Sequence, residues 1–181
     1  MTTYFGIDFS LGSTGLAMFD GETWDTTTVK TKPLGTAHGD FIDRMDEIAG
    51  KVISWCDPHE GDVLALEGLA LAAKSRALDR MFGGWWSLYR ALREHGAEPF
   101  VVTTGTLKKL ATGSGTADKD QMLLAAARRL QAAPVQNNDE ADAAWLAVAA
   151  ARIGGVEAVK LPKLHTDGLD DLIRGKRGVA P

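Results

Sequence analysis

Apolar residues alternate with small or polar residues along the first thirty positions of the chain. The pattern occurs in three runs: YFGID, STGLAMF and the threonine-rich ETWDTTTVKT. Alternation of this kind predicts short strands with one face turned to a core. Asp20-Gly21, between the second and third runs, is a hairpin signal. The pattern therefore predicts a meander of three strands at the start of the chain.

Helical spacing follows from Asp40, where apolar residues recur every three or four positions up to Ile53. Further helices are predicted over about 75–95, over 106–111, from Asp118 and from Asn138, with DVLALEG and EPFVVT as short strands between them. This order predicts an α/β fold, a mixed five-stranded sheet flanked by helices. After Leu161 the chain turns polar, so we expect one domain over residues 1–160 and an irregular, mobile polar C-terminal tail over 161–181.

Composition narrows the class of protein. The chain has 181 residues, 45% of them hydrophobic and 24% charged, as in an ordinary globular domain. No apolar run reaches the roughly 18 residues of a membrane span, and the N-terminus lacks the features of a secretory signal. The single Cys56 excludes an internal disulfide and fits a reducing cytosol, so we expect a cytoplasmic location. The net charge of −4 means that any binding of nucleic acid must depend on a local basic patch.

Three acids stand at the head of the alanine-rich run NNDEADAAWLAVAAARI. Acids in a first helical turn, behind an N-cap at Asn138, suit the positive end of the helix dipole, and that is their ordinary explanation. Asp139 and Asp142, however, are three residues apart and share one helix face that must continue into the core. Two carboxylates aimed at an interior repel each other unless a cation lies between them. The pair therefore points to a metal site.

Two more acids fall where such a site would need them. Asp8 interrupts the apolar run FGIDFS, and Glu67 ends VLALE. A single acid at a strand end is usually a cap or a solvated edge. Four carboxylates from two strand ends and one helix start, without histidine or cysteine, instead form a hard oxygen site suited to Mg²⁺ or Mn²⁺. Two such ions together are the arrangement that hydrolyses phosphodiesters.

The segments FGIDFSLGSTGLAMF, VLALEG, LKKLATGSGTADKDQM and NNDEADAAWLAVAAARI resemble, in order and spacing, the RuvC-like Holliday junction resolvases. The resemblance implies a ribonuclease H-like fold, two Mg²⁺ ions per site (with Mn²⁺ able to substitute), a homodimer, and four-way or other branched DNA as substrate. It also implies that Asp8, Glu67, Asp139 and Asp142 are catalytic metal ligands, with Lys108 and Lys119 beside the scissile phosphate. Without the resemblance, both lysines would be read as solvated helix residues.

Basic residues near these motifs are candidates for contacts with DNA phosphates, which position a duplex without reading its sequence. The alternative is ordinary solvated charge. Adjacent glycines, Gly83 and Gly84, interrupt the second predicted helix and indicate close approach of another helix. The resemblance implies that this helix forms the dimer interface. The candidate DNA contacts are Lys74, Arg76, Arg80, Lys108, Lys109 and Lys119.

Where family members often have an aromatic residue soon after the strand-end glutamate, this chain has Gly68-Leu69-Ala70-Leu71. The departure suggests weaker selectivity for four-way junctions and a phage-type member of the family.

Other interpretations of the sequence are a ribonuclease H-like nuclease acting on RNA and a non-catalytic DNA-binding module. GIDFSLGSTG also resembles the phosphate-binding turn of sugar kinases and actin-like ATPases. Those proteins need two lobes and a longer chain, and they do not account for the Asp139–Asp142 pair.

Overall fold

The secondary structure follows the predicted order of elements. The computed structural model describes residues 2–69 and 78–177. Within them the elements are β1 (Tyr4–Asp8), β2 (Ser13–Phe19), β3 (Trp24–Lys30), α1 (His38–Cys56), β4 (Val63–Glu67), α2 (Leu78–Glu94), β5 (Phe100–Val102), α3 (Thr104–Thr112), α4 (Lys119–Arg129), α5 (Asn138–Ile153) and α6 (Lys163–Arg177). No helix formed by the described residues is long and apolar enough to cross a bilayer.

The five strands form one mixed sheet in the order β3-β2-β1-β4-β5. β1 and β2 pair antiparallel, as do β2 and β3, which is the predicted meander. β4 pairs parallel with both β1 and β5. The carboxyl ends of β1 and β4 therefore meet at one edge of the sheet, where Asp8 and Glu67 lie. The predicted fold class is confirmed.

Helix α5 packs directly on the sheet because the strands beneath it carry glycine. A Cβ on Gly6 would lie 2.0 Å from the carbonyl oxygen of Ala143, and one on Gly15 would lie 2.0 Å from that of Asp139. The alanines of α5 complete the close contact, since most of the helix is fully buried. Backbone-to-backbone packing of this kind fixes the height and rotation of α5 over β1 and β2.

On the opposite face of the sheet, Gly84 allows α2 to approach α1 and the end of β1. A Cβ on Gly84 would lie 2.5 Å from Sδ of Met45 and 2.7 Å from Cζ of Phe9, while one on Gly83 would touch the ring of Phe41 at 3.4 Å. The predicted close approach of a second helix is therefore present, but the second helix belongs to the same chain. Gly83 and Gly84 therefore give no evidence for a dimer interface.

The irregular tail expected after Leu161 is wrong, because Lys163–Arg177 form helix α6. Leu169 is fully buried, Nδ1 of His165 lies 2.9 Å from the carbonyl oxygen of Leu110, and Asp170 binds Arg152 of α5 through two hydrogen bonds of 2.7 and 2.9 Å. α6 thus packs against α3 and α5. Where the domain ends remains a prediction.

Candidate active site

Four carboxylates from three elements line one cavity of about 250 Å³ at the carboxyl edge of the parallel strands. Asp8 ends β1, Glu67 ends the adjacent β4, and Asp139 and Asp142 come from the first two turns of α5. The remaining lining residues are Ser10, Thr104, Leu107, Lys108, Lys119 and Met122. The structure therefore brings together the acids and lysines that the sequence motifs single out.

The start of α5 is held in place by side-chain hydrogen bonds. The predicted cap at Asn138 is wrong by one residue: Asn137 is the N-cap, and its side chain accepts from the backbone N–H of Glu140 at 3.0 Å. The Ser13 hydroxyl of β2 donates to Oδ2 of Asp139 at 2.5 Å. Asp139 is thereby oriented from the sheet as well as from its own helix.

Glu67 is fixed from the other face of the sheet. The indole Nε1 of Trp85 in α2 donates to the carbonyl oxygen of Glu67 at 2.8 Å. The N–H of the next residue, Gly68, donates to the carbonyl oxygen of Val102 at 2.8 Å. The end of β4 is thus held between α2 and β5, and the Glu67 backbone keeps its register with Asp8.

Burial and mutual repulsion make two of these carboxyls hard to ionise. The pKa of Asp8 lies well above its ordinary value, first because the group is desolvated and then because Glu67, its hydrogen-bond partner, and the other two acids lie close. Desolvation, followed by repulsion from Glu67, raises the pKa of Asp142 to about 7. Lys119 and Lys108 act in the opposite direction on Asp142. Without a bound cation, the cavity therefore favours the protonated, neutral form of these two carboxyls.

Lys108 and Lys119 reach this cavity from two helices whose starts are capped. The side chain of Thr103 accepts from the N–H of Thr106 at the start of α3. Asp118 and Gln121 form a capping box at the start of α4, so Lys119 is the first residue of that helix. Both lysines line the cavity together with the carboxylates, and both act electrostatically on Asp142. Their ammonium groups are suited to hold a phosphate there.

The chemistry of the donors fits a hard divalent cation. Oδ1 of Asp142 is buried and has no hydrogen-bond partner, so its lone pairs are free for a ligand. Within residues 2–69 and 78–177, however, no three acidic, histidine or cysteine side chains already form a cluster around a common point. The donor set, four carboxylates without histidine or cysteine, is what fits Mg²⁺ or Mn²⁺.

Two other candidate DNA contacts, Lys109 and Arg80, lie away from the cavity. Lys109 is on another side of α3, where its stem lies near Gly168 of α6. The Arg80 guanidinium stands 5.8 Å from the ring centroid of Phe41, on an exposed part of α2. Lys74 and Arg76 fall outside the described residues. Of the six basic candidates, the structure brings Lys108 and Lys119 to the acids.

Sequence reasoning missed the groups that orient the acids. Ser13 donates to Asp139, Ser10 and Thr104 line the cavity, and the indole of Trp85 holds the backbone of Glu67. The small-residue turn SLGSTG was the available signal for the two serines, but turn propensity does not tell which side chain points to a distant helix. The sequence does not indicate that Trp85 holds Glu67, because Trp85 also fits the apolar face of α2.

The raised pKa of Asp142 predicts how the stability of the metal-free protein depends on pH. A carboxyl that binds its proton more tightly in the folded state stabilises the fold at low pH, and that contribution is lost as pH rises from about 4 to about 7. In EDTA, the melting temperature should therefore fall across this window. Asp142→Asn should make the melting temperature less dependent on pH. Thermal unfolding followed by circular dichroism measures the melting temperature. A variant curve that falls as steeply as the wild-type curve would contradict the prediction.

Comparison with known proteins finds matches to one family over most of the chain. Residues 4–151 match the family model described as Crossover junction endodeoxyribonuclease RuvC. A protein of that name from Corynebacterium diphtheriae is 31% identical over 121 residues, covering 66% of this chain and 72% of the relative. Another from Paenarthrobacter aurescens is 30% identical over 146 residues, covering 79% and 77%. Nothing in these bacterial relatives supports the phage-type subset expected from the sequence.

Two solved structures share the fold. The structure of Thermus thermophilus RuvC matches with a TM-score of 0.67 and 19% identity, covering 88% of this chain and 100% of that one. T. thermophilus RuvC in complex with Holliday junction substrate matches with a TM-score of 0.62 and 19% identity, covering 82% and 92%. At this identity the likeness establishes the arrangement of helices and strands.

Proposed function

The chain belongs to the RuvC family of crossover junction endodeoxyribonucleases, and from this premise we propose that it cleaves Holliday junctions by hydrolysing phosphodiesters in the four-carboxylate cavity. One observation carries the proposal: Asp8, Glu67, Asp139 and Asp142 share that cavity with Lys108 and Lys119. A non-catalytic DNA-binding protein has no need to gather four acids where phosphates must approach.

Enzymes of this family depend on Mg²⁺. We propose that the four carboxylates hold two Mg²⁺ ions, with Mn²⁺ able to replace them, since carboxylate oxygens are the preferred ligands of both. Bound there, the ions supply an activated water and stabilise the leaving oxygen. The unpartnered Oδ1 of Asp142 supports this assignment.

The protein's own side chains position the substrate. Lys108 and Lys119 add two positive charges to the lining of the cavity, where they attract a phosphate and hold it near the reacting groups. The apolar side chains of Leu107 and Met122 also line the cavity and limit the water that reaches it. Ser13 keeps the Asp139 carboxylate directed inward. Such preorganisation lowers the cost of aligning the reacting groups.

The function is tested by a panel of substrates: a four-way junction, a flap, linear duplex DNA and a single-stranded RNA. We expect symmetric cleavage of the four-way junction in Mg²⁺ or Mn²⁺. No cleavage is expected in EDTA, or in Ca²⁺, whose looser coordination misplaces the reacting oxygens. Comparable cutting of the flap would show the broader substrate range suggested by Gly68-Leu69. Preferential cutting of RNA, or strong cutting in excess EDTA, would contradict the proposal.

Cleavage of two symmetric strands calls for two active sites, and we propose that the protein acts as a homodimer joined through α2. Trp86 supports this interface: it is 59% exposed on the outer face of α2, in edge contact with Tyr89 at 5.9 Å between ring centroids. Trp86, Tyr89, Arg90, Arg93 and Glu94 border a shallow cavity of about 430 Å³. Exposed tryptophan beside arginine is typical of the energetic centre of an interface.

Trp86→Glu should therefore weaken self-association. Losing a central aromatic costs about 2 kcal/mol or more, which is roughly a 30-fold increase in the dimer dissociation constant. Sedimentation equilibrium measures the constant directly. Leu164→Glu is the matched control, because Leu164 is 60% exposed on α6. A dissociation constant that Trp86→Glu leaves unchanged would place the interface elsewhere.

A further inference from the structure

Glu140 lies between the two acids that α5 gives to the cavity, yet its side chain points elsewhere. Only 6% of Glu140 is exposed, and its carboxylate accepts four hydrogen bonds. Oε1 accepts from the Thr28 hydroxyl at 2.9 Å and from the Asn137 amide at 2.8 Å. Oε2 accepts from the Gln136 backbone N–H at 2.8 Å and from the Thr26 hydroxyl at 3.3 Å. With both oxygens occupied, Glu140 is not available as a metal ligand.

These bonds join the start of α5 to β3, two strands away from Asp8. Asp8 pairs with Gly15 of β2, and Gly15 pairs with Thr28 of β3, so the three residues form one row across the sheet. The carbonyl of Asp139 lies over Gly15, and the carboxylate of Glu140 reaches Thr28. The first turn of α5 is therefore tied to the same row of the sheet that carries Asp8.

We propose that Glu140 is a positioning residue for Asp139 and Asp142: its carboxylate, held by Thr28, fixes the first turn of α5 and so sets where those two ligands stand. The inference rests on the proposed role of Asp139 and Asp142 as metal ligands. A shift of α5 along or around its axis moves both ligands together, while Asp8 and Glu67 stay with the strands. The link from Glu140 to Thr28 opposes that shift at a point outside the cavity.

The test compares Glu140→Ala, Glu140→Gln and Thr28→Val. Mn²⁺ binding is measured without DNA, from the free-ion signal in electron paramagnetic resonance, and kcat and KM are measured on a four-way junction. Loss of groups that orient metal ligands typically costs about 10–100-fold in metal affinity or activity. For Glu140→Ala we expect a Mn²⁺ dissociation constant raised at least ~10-fold, a lower kcat and an unchanged KM. Glu140→Gln, which keeps one acceptor oxygen, should be intermediate.

Thr28→Val separates positioning from local helix capping. It removes one of the two hydroxyl donors on β3 and the Thr28 acceptor of the Asn137 amide, but it leaves the Asn137 cap and the bonds from Gln136 and Asn137 to Glu140 in place. It should weaken Mn²⁺ binding in the same direction as Glu140→Ala. Asp170→Asn is the matched control: it removes the partner of Arg152 near the other end of α5 and should lower stability without changing Mn²⁺ affinity.

The proposal is overturned if Glu140→Gln and Thr28→Val bind Mn²⁺ as the wild-type protein does. It is also overturned if Asp170→Asn weakens binding as much at an equal loss of melting temperature. These two comparisons test the proposal even if the Glu140→Ala variant does not fold. Weakened Mn²⁺ binding in a protein that cuts none of the DNA substrates would support the role of Glu140 and count against the proposed function alone.

Discussion

Replacing Asp142 with asparagine should lower junction cleavage at least ~100-fold, because on the proposed mechanism it removes a charged ligand from ions that stabilise the transition state by several kcal/mol. The change keeps the shape of the side chain, and it removes one of the carboxylates whose burial is unfavourable. The folded variant should therefore be no less stable than the wild-type protein in EDTA. Junction affinity in Ca²⁺ should persist or rise, since one charge that repels phosphate is gone.

Gel shift in Ca²⁺ and cleavage in Mg²⁺ on the same four-way junction measure the two quantities separately. Asp120→Asn is the matched control, because Asp120 is an exposed acid in the first turn of the neighbouring helix α4. An acid that only favours the helix dipole contributes about 0.3–1 kcal/mol to stability and nothing to the chemical step. Cleavage at the wild-type rate by the folded Asp142→Asn variant would remove Asp142 from the active site.

A methyl group on Gly15 should damage both stability and cleavage without touching any carboxylate side chain. The added Cβ of Gly15→Ala would lie 2.0 Å from the carbonyl oxygen of Asp139, so the start of α5 must move away from β2. Overpacking of this kind costs about 1–3 kcal/mol. A displacement near 1 Å at reacting groups can cost about 100-fold in rate. We therefore expect a lower melting temperature and a fall in kcat of that order.

Gly12→Ala is the control for Gly15→Ala, because Gly12 lies just before β2 and a Cβ there meets nothing within 4 Å. Cleavage is measured at a temperature where chemical denaturation shows the Gly15→Ala variant to be folded. Wild-type kcat in that folded variant would mean that the position of α5 over the sheet does not limit the chemistry. The two substitutions, at Asp142 and at Gly15, thus separate the loss of a ligand from the misplacement of one.

The helices and strands, and the candidate acids, could be predicted because their signals are local. Alternation over five to seven residues predicts β1 and β2, and helical spacing over a dozen predicts α1. Asp8 and Glu67 are recognisable as acids that end apolar strands, and Asp139 and Asp142 as a pair on one helix face. Parallel pairing of β1 with β4 then brings the strand ends to one edge. Helix α6 was missed because Gly168 and Gly175 weaken its helical signal, and its stability comes from Leu169 and from the Arg152–Asp170 pair.

By itself, then, the sequence determined the order of the elements up to α5 and indicated the candidate acids, since periodicity and strand ends are properties of neighbouring residues. Only the tertiary structure decided what those residues meet. In the structure, Gly84 lies against Met45 of the same chain, and Lys109 and Arg80 lie away from the acids. The Glu140 side chain binds Thr28, which lies more than a hundred positions earlier in the chain. Such contacts depend on how the whole sheet and α5 are packed, because side chains on one helix turn point in different directions and each finds its partner in a distant segment.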